Sequence, residues 1–346
     1  MPGEKTVKRK AEHLDMCVRE DVETGSNGFS DVTLVHRSLP ELELKKIDTS
    51  TSLLGKKLSL PLVISGMTGG VEQARKVNRD LAAAAQERGI AFGVGSQRAM
   101  IERPELKETY YVRDVAPDIL LFGNMGITQI AKYEPARVRK MLEDTGANAL
   151  CVHLNPAQEV FQTEGDWDFT GTLPALRKLC RELRYPVIGK EVGHGISRET
   201  AKQLKQAGVA AIDVGGSGGT NWAYIEAKRA GTDLGEFKHH GIPTAAAVLE
   251  CRKVGLPIIA TGGIRSGLEI AKAIALGATC AGMALPFLRA QASGGKQMAI
   301  RLVDRMQEEL GRAMFLAGCR NIRELSKADH VIKGDLYAWA SQRKLV

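Results

Sequence analysis

The 346-residue chain is 44% hydrophobic and 25% charged, a composition typical of a globular protein with a large core. Its net charge of +8 would suit nucleic acid, but acidic residues interrupt the basic ones except from Lys5 to Lys10, so we expect a small anionic ligand and no nucleic-acid partner. No apolar stretch reaches the roughly 18 residues of a membrane helix. Residues 1–15 lack a secretory signal, and the six cysteines form no CxxC pair. We expect a cytoplasmic protein with reduced thiols and no membrane partner.

The pattern of the chain changes near residue 58. Residues 1–57 are polar and mixed, with turn formers concentrated at 21–30, which predicts an N-terminal extension. Beyond them, short apolar runs alternate with amphipathic stretches, as in βα units with a parallel sheet. The predicted strands are 61–65, 90–94, 119–122, 149–153, 186–190, 210–214, 257–261 and 279–283. Eight strands favour an α/β fold of the TIM (β/α)8 barrel type over residues 58–346, C-terminal helices included.

Two helices are predicted from the spacing of their apolar residues. The first spans residues 71–88, and the second spans 268–275 and ends before Gly277. Each follows a predicted strand, as a βα unit requires.

Polar residues and glycines follow almost every predicted strand. The segments are SGMTGG (65–70), GSQR (95–98), GNMG (123–126), HLNPAQE (153–159), KEVGHG (190–195), GGSGGTNW (215–222), GGIRSG (262–267) and ALPF (284–287). Any one of them is consistent with a plain strand-to-helix turn. Because the carboxyl ends of the strands form the active-site face of such a barrel, all eight together predict a shared pocket.

The last loops favour phosphate binding. In phosphate-binding barrels the loops after strands 7 and 8 offer backbone N–H groups to the anion, and glycine lets the backbone approach it closely. GGSGGT, GGIRSG and Ala284 fit that arrangement, and Arg265 could add charge. None of these glycines follows the GxGxxG spacing of a Rossmann fold.

Lys190 and His153 are predicted at strand ends and are open to two interpretations. An ammonium inside the mouth is costly unless an anion faces it. The partner of Lys190 is either the pyrimidine edge of a flavin or a carboxylate such as Glu191. His153 is either part of the chemistry or a hydrogen-bonded residue that positions its neighbours. The adjacent His239 and His240 point in different directions without a third ligand, so we assign them no metal and no role.

Several of these segments together resemble one family, the type 2 isopentenyl diphosphate isomerases. They are RKAEH (9–13), SGMTGG, GSQR, HLNPAQE, GKEVGHGIS (189–197), GGSGGTNW, GIPTA (241–245) and TGGIRSG. The resemblance runs from about Lys8 to beyond Phe287. HLNPAQE, GSQR and the N-terminal Arg-Lys are specific, whereas GGIRSG alone marks a wide class of FMN and phosphate barrels. The family match implies an FMN enzyme of isoprenoid biosynthesis that interconverts isopentenyl diphosphate and dimethylallyl diphosphate with Mg2+.

The resemblance also implies which residues form the site. FMN would contact Ser65, Gly66, Met67, Thr68, Ser96, Asn124, Lys190, Ser217, Thr220, Gly262, Gly263, Ile264, Arg265, Ala284 and Leu285. The substrate would contact Arg9, Lys10, Ser96, Gln97, Arg98, His153, Asn155 and Gln158. Glu159 would bind Mg2+, and the catalytic candidates are Gln158, Lys190 and His153.

The mechanism needs a role for the flavin, because the reaction moves a proton without net oxidation. We expect reduced FMN to act as the acid-base catalyst, with its anionic ring stabilised opposite Lys190. Gln158 would position or relay, since an amide is too weak a base. No aspartate at the barrel mouth is an obvious alternative base. With no dinucleotide-binding domain visible, NAD(P)H, the expected reductant, would have to use the same mouth or a partner.

The family match carries two expectations about assembly. One is a homo-oligomer, a tetramer or octamer. The other is that Arg9 and Lys10 fold over a barrel mouth, in their own or a neighbouring subunit; without the match the same residues would read as a solvated basic tail.

Two other flavin or phosphate barrels and one non-enzymatic class are the alternatives. A 2-hydroxy-acid oxidase would carry an HGxR base where this chain has GGIRSG. A dehydrogenase resembling the IMP dehydrogenases would carry a catalytic cysteine after GGSGGT, and none follows. A flavin-binding regulatory protein would not need the side chains suited to a diphosphate.

Overall fold

The N-terminal extension folds against the rest of the chain. The computed structural model describes residues 2–346, with side chains from Arg9 onward. The extension comprises α1 (Pro2–Arg19), β1 (Val32–Leu34) and an antiparallel hairpin of β2 (Thr51–Leu53) and β3 (Lys56–Leu58). The predicted boundary between residues 57 and 58 falls inside β3.

The centre of the described chain is a closed barrel of eight parallel strands. They are β4 (Leu62–Ile64), β5 (Ala91–Gly93), β6 (Leu121–Gly126), β7 (Ala149–Leu154), β8 (Val187–Glu191), β9 (Ala211–Asp213), β10 (Ile258–Thr261) and β11 (Cys280–Met283). β11 pairs with β4 and closes the ring. The TIM barrel and all eight predicted strands are confirmed. One detail differs: GNMG lies within β6 instead of in a loop, because its backbone continues the pairing with β7.

Helices surround the barrel and extend beyond it. They are α2 (Glu72–Arg88), α3 (Arg98–Glu102), α4 (Ile127–Ile130), α5 (Pro135–Thr145), α6 (Pro156–Phe161), α7 (Thr172–Glu182), α8 (Arg198–Ala207), α9 (Trp222–Arg229), α10 (Thr244–Arg252), α11 (Gly267–Leu276), α12 (Leu285–Leu316), α13 (Ile322–Leu325) and α14 (Gly334–Gln342). Short 3-10 helices lie at Phe29–Asp31, Leu44–Lys46, Pro104–Thr109 and Gly235–His239. None of the helices in the described chain combines the length and apolarity needed to cross a membrane.

Both predicted helices are confirmed, as α2 and α11. Ala74, Leu81 and Ala85 of α2 are buried at helical spacing. α11 ends at Gly277, whose φ of 118° suits a residue without a Cβ. α12 is bent at Gly294 and Gly295, where the backbone leaves the helical conformation.

Contacts between segments far apart in the sequence join the N-terminal and C-terminal parts of the chain. β1 pairs antiparallel with β12 (His330–Ile332). Arg289 on α12 donates to the carbonyl oxygens of Cys17 at 3.2 Å and Glu20 at 2.7 Å, at the C-terminal end of α1. These contacts place α1 beside the carboxyl end of the barrel.

The interior of the barrel is apolar, and it is closed at the amino ends of the strands. Val63, Phe122 and Ile259 belong to a buried cluster that also contains Leu53 and Leu58 of the hairpin. These two leucines are 1% and 2% exposed, so the hairpin plugs the amino ends of the strands. Polar chemistry is thereby confined to the opposite end.

Candidate active site

A large cavity opens at the carboxyl ends of the strands, under α1. Most of the residues predicted for the site line it together. They are Arg9, Lys10, Ser65, Gly66, Met67, Thr68, Ser96, Arg98, Asn124, His153, Asn155, Gln158, Glu159, Lys190, Thr220, Gly262, Gly263, Arg265, Ala284 and Leu285. Residues from all eight strand ends and from α1 therefore share one cavity.

Three residues predicted for the site, Gln97, Ile264 and Ser217, do not line the cavity. The buried Gln97 side chain turns into the barrel wall, where Oε1 accepts from the Asn124 N–H at 3.0 Å and Nε2 donates to the Thr145 hydroxyl at 3.3 Å. Ile264 is fully buried in the hydrophobic core. Ser217 pairs through its backbone with Pro243. Gln97 and Ile264 are sequence neighbours of cavity-lining residues, but their side chains turn away from the cavity, which a motif of consecutive residues does not reveal.

The floor of the cavity contains two buried hydroxyl groups that lack a partner within the described residues. They are Ser65 Oγ and Thr68 Oγ1, which follow β4. Buried polar atoms in native proteins are almost always hydrogen-bonded, so a polar ligand is expected against these hydroxyls. Gly282 leaves the space beside them: a Cβ there would lie 2.4 Å from Thr261 Cγ2 and 3.0 Å from Ser65 Oγ. This is the donor and acceptor set that a flavin ring edge could satisfy.

The two glycine loops predicted for phosphate binding pack directly on each other. Gly262 and Gly263 have φ of 110° and 72°, and a Cβ on Gly262 would lie 2.0 Å from the carbonyl oxygen of Gly216. The glycines are therefore needed for loop-to-loop packing as well as for approach to a ligand. Ala284 and Leu285 begin α12 at the same rim, so a helix N-terminus faces the cavity.

Lys190 has a carboxylate partner, and it is Asp213, not Glu191. Lys190 Nζ lies 2.9 Å from Asp213 Oδ2. Glu191 turns the other way, and its Oε2 accepts four backbone N–H groups from residues 192–195, which fixes the loop after β8. Burial raises the pKa of Glu191 to about 7, against the effect of those four donors. The sequence analysis did not single out Asp213, which lies behind Lys190 and does not line the cavity.

His153 is hydrogen-bonded and neutral. Its Nδ1 lies 2.8 Å from Asn124 Oδ1, which as an acceptor requires the hydrogen on Nδ1. Burial lowers the pKa of His153 to about 4, and the charges of Lys190 and Lys10 add to that effect. His153 thus offers an unprotonated Nε2 and holds the Asn124 amide in a fixed orientation.

The short helix α6, which follows β7, presents the amide of Gln158 and the carboxylate of Glu159 side by side. Asn155 Nδ2 donates to Glu159 Oε1 at 2.9 Å and to Gln158 Oε1 at 3.2 Å. Glu159 Oε2 accepts the Asp166 N–H at 2.7 Å. Within residues 9–346, no group of three or more histidine, cysteine, aspartate or glutamate side chains could hold a metal ion by itself. Glu159 is a hard oxygen donor of the kind that binds Mg2+ together with phosphate oxygens and water.

A buried ion-pair cluster behind Gln158 was not predicted. Gln158 Nε2 donates to Glu226 Oε1 at 3.0 Å, and the same oxygen lies 3.0 Å from His13 Nε2. Arg229 pairs with the other oxygen of Glu226. Burial would raise the pKa of Glu226, but His13, Gln158 and Arg229 hold it at about 2. Glu226 lies in a segment without a motif, 68 residues beyond Gln158, so only the fold brings them together.

The basic arm folds over the mouth of its own barrel. Lys10 Nζ donates to the carbonyl oxygens of Gly69 at 2.6 Å and Ser96 at 3.0 Å, and to Tyr110 Oη at 3.0 Å. Arg9 pairs with Glu164 at 3.4 Å across the cavity. Burial lowers the pKa of Lys10 to about 7, and Arg9 and Arg98 lower it further. A phosphate in the cavity would favour the charged form of this amine.

An open barrel end lined by glycine loops, unpartnered hydroxyls and a cationic arm is the arrangement expected of a flavin-binding TIM-barrel enzyme. The family model for FMN-dependent dehydrogenases matches residues 11–105 and 124–333. A mandelate oxidase variant, 17% identical, has a TM-score of 0.65 over 96% of this chain and 99% of its own. A Pediococcus acidilactici protein described as a lactate oxidase, also 17% identical, has a TM-score of 0.68 over 96% and 94%. These two structures share the fold.

Curated relatives narrow the family. The isopentenyl-diphosphate delta-isomerase of Thermococcus onnurineus is 48% identical, covering 98% of this chain and 95% of its own. The protein of the same name from Methanosarcina barkeri is 49% identical with the same coverage. The chain belongs to the isopentenyl-diphosphate delta-isomerase family, within the FMN-dependent dehydrogenases, and is an enzyme of that family.

Proposed function

We propose that the protein interconverts isopentenyl diphosphate and dimethylallyl diphosphate by moving an allylic proton, using reduced FMN and Mg2+. The observation that carries the proposal is the juxtaposition of two features in one cavity. Unpartnered Ser65 and Thr68 hydroxyls lie on the floor, and the cations of Arg9, Lys10 and Arg98 lie at the rim. A flavin on the floor and a diphosphate at the rim would leave the hydrocarbon part of the substrate between them.

The diphosphate would be held by the rim. Arg98, paired with Glu102 at 2.8 Å, and Arg9 provide fixed planar donors, while Lys10 provides an ammonium anchored to the barrel loops. Guanidinium and ammonium groups form strong charge-assisted hydrogen bonds to phosphate oxygens. Ser96, whose carbonyl oxygen accepts from Lys10, also lines the cavity, and its hydroxyl would add a further donor.

The two cofactors would lie on opposite sides of the substrate. Ser65, Thr68, Asn124 and Lys190 would hold the flavin ring, and the Gly262–Gly263 loop with Ala284 would hold its phosphate. When bound and reduced, FMN would supply the group that exchanges a proton with the allylic carbon. Glu159 would hold Mg2+ against the diphosphate, where the ion would offset phosphate charge.

Protein residues would orient the reacting part of the substrate. Gln158 is fixed from two sides, by Asn155 and by Glu226, so its amide can hold or relay a proton without being the main base. The neutral His153 would keep Asn124 directed at the flavin. Leu14, Trp222 and Leu288 line the cavity and would exclude water from the hydrocarbon tail.

Two accessory features complete the proposal. NAD(P)H, as the reductant, would enter the same mouth and transfer hydride before the substrate binds. A homo-oligomer, a tetramer or octamer, would pack through surfaces outside the cavity, because the arm that covers each mouth comes from the same chain.

The test is turnover of isopentenyl diphosphate in Mg2+ buffer by protein loaded with FMN, comparing oxidised flavin with flavin reduced anaerobically. Conversion to dimethylallyl diphosphate after reduction only is the expected result. Full conversion by apoprotein or by the oxidised form would contradict the flavin's role. No conversion in either state, with oxidation of a 2-hydroxy acid, would instead favour the chemistry of the oxidases that share the fold.

A further inference from the structure

A second buried charge lies directly behind Lys190. Asp213 ends β9 and is the register partner of Lys190 in β8. Its Oδ2 lies 2.9 Å from Lys190 Nζ, and the residue is only 3% exposed. Lys190 and Thr261 line the cavity, whereas Asp213 does not. The carboxylate therefore acts on a bound ligand without lining the cavity itself.

Both oxygens of Asp213 are engaged. Oδ1 accepts from the Thr261 hydroxyl and from the Gly215 N–H, the latter at 3.3 Å. The Thr261 oxygen in turn lies 3.4 Å from Lys190 Nζ. Lys190, Asp213 and Thr261 come from three adjacent strands, β8, β9 and β10, so the barrel itself fixes their arrangement.

The arrangement sets the charge that the cavity floor presents. Lys190 alone would place a full positive charge against a ligand, and a low-dielectric site would make that charge strongly felt. Asp213 neutralises it from behind and leaves a local dipole that points its positive end into the cavity. Glu191, the other nearby carboxylate, is committed to the backbone N–H groups of residues 192–195 and does not share this role.

We propose that Asp213 is a positioning residue that holds the Lys190 ammonium at the cavity floor and offsets part of its charge, so that bound flavin is less biased toward its anionic reduced form. The inference rests on the proposed flavin site. The proposed reaction requires the same flavin to give up a proton and take one back. If Lys190 stabilised the reduced anion too strongly, the proton affinity of the flavin would fall and reprotonation would be unfavourable. Partial offset of the Lys190 charge therefore suits this reaction.

The experiment measures the flavin itself in Asp213→Asn holoprotein. The reduction potential should rise, and reduced FMN should bind more tightly relative to oxidised FMN than it does in the wild type. A tenfold change in the ratio of the two constants, equivalent to about 30 mV for a two-electron couple, is the expected size. An unchanged or lowered potential would overturn the proposal, even if FMN binds more weakly.

A second variant covers the case in which Asp213→Asn does not fold or does not retain FMN. Thr261→Val keeps both charges and removes the hydroxyl that donates to Asp213, so the carboxylate acts more strongly on Lys190. Its potential should move in the opposite direction, downward. An upward shift in Thr261→Val would count against the proposal.

Glu250→Gln is the matched control. Glu250 is fully buried and pairs with Arg343 at 2.8 Å, away from the cavity. Its substitution should lower the melting temperature without moving the flavin potential. If the potentials shift as expected but the wild type turns over no isoprenoid diphosphate, the proposed function is wrong and the role of Asp213 is supported. If turnover is normal but the potential of Asp213→Asn is unchanged, the role of Asp213 is wrong and the proposed function is supported.

Discussion

The two ends of the barrel differ in the chemistry of the side chains that fill them. At the amino end, Leu53 and Leu58 plug an interior of Val, Ile, Phe and Ala side chains. At the carboxyl end, charged and amide side chains converge beneath the N-terminal arm. The first arrangement gains free energy by removing apolar surface from water. The carboxyl end removes charged groups from water, and these groups are tolerated because each has a hydrogen-bond or ion-pair partner. The residues that stabilise the fold and the residues of the site therefore lie at opposite ends of the barrel axis.

The largest effect on stability is expected at the plug. Leu58→Ala should lower the free energy of unfolding by about 2–5 kcal/mol, because it removes a fully packed side chain and leaves a cavity. FMN binding and turnover per folded molecule should stay as in the wild type. Chemical denaturation followed by circular dichroism, with a kinetic assay at low temperature, checks both. A loss of turnover in the folded fraction would show that the two ends are coupled.

At the mouth, Arg98→Ala should act on substrate and spare the fold. Loss of a charge-assisted hydrogen bond costs about 1.5–3 kcal/mol, so KM for isopentenyl diphosphate should rise roughly 10- to 100-fold. Arg75→Ala, which removes a half-exposed arginine on α2, is the control and should leave KM unchanged. Equal KM values in the two variants would place the diphosphate elsewhere.

The cluster behind Gln158 should influence kcat more than KM. Glu226→Gln removes the charge that anchors Gln158, His13 and Arg229, and we expect kcat to fall about tenfold, close to 1.4 kcal/mol. Steady-state kinetics with Glu236→Gln, which changes an exposed glutamate ten residues further along the chain, provides the comparison. If only KM changes, Glu226 positions the N-terminal arm through His13 and does not position Gln158 for the chemical step.

The smallest expected effect is a pH dependence at the arm. The folded-state pKa of Lys10 is lowered to about 7 from its usual value near 10.5, so the amine loses its charge as the pH rises through 7. In the proposed site the diphosphate binds to the charged form, and affinity should therefore fall about fivefold between pH 7 and pH 8. Calorimetric titration should detect proton uptake on binding above pH 7.

Lys10→Met tests the source of that pH dependence. The variant should bind weakly with a flat profile over the same interval. A profile that keeps its slope in Lys10→Met would assign the titration to another group.

The sequence predicted the barrel well because buried parallel strands have a simple pattern. Apolar runs such as residues 257–261 are covered on both faces, and the polar motifs after them mark the mouth. The extent of β6 was missed because Gly-Asn-Met-Gly resembles a turn, although its backbone pairs with β7.

The contacts between distant segments could not be predicted. Gln97 is a neighbour of Ser96 and Arg98, but its amide turns into the wall, and residue order alone does not fix that direction. Asp213 sits within an apolar run and gave no signal until β8 and β9 were paired. Glu226 lies outside every motif, and only the packing of α9 on α6 brings it to Gln158.

The proposed function requires the polar end of the barrel to move a proton on an isoprenoid diphosphate. Its most direct test is proton NMR of isopentenyl diphosphate in D2O buffer with Mg2+ and anaerobically reduced FMN-loaded protein. We expect dimethylallyl diphosphate, deuterium at the allylic positions and flavin that remains reduced. Unchanged substrate without deuterium, or net oxidation of the flavin during turnover, would contradict it.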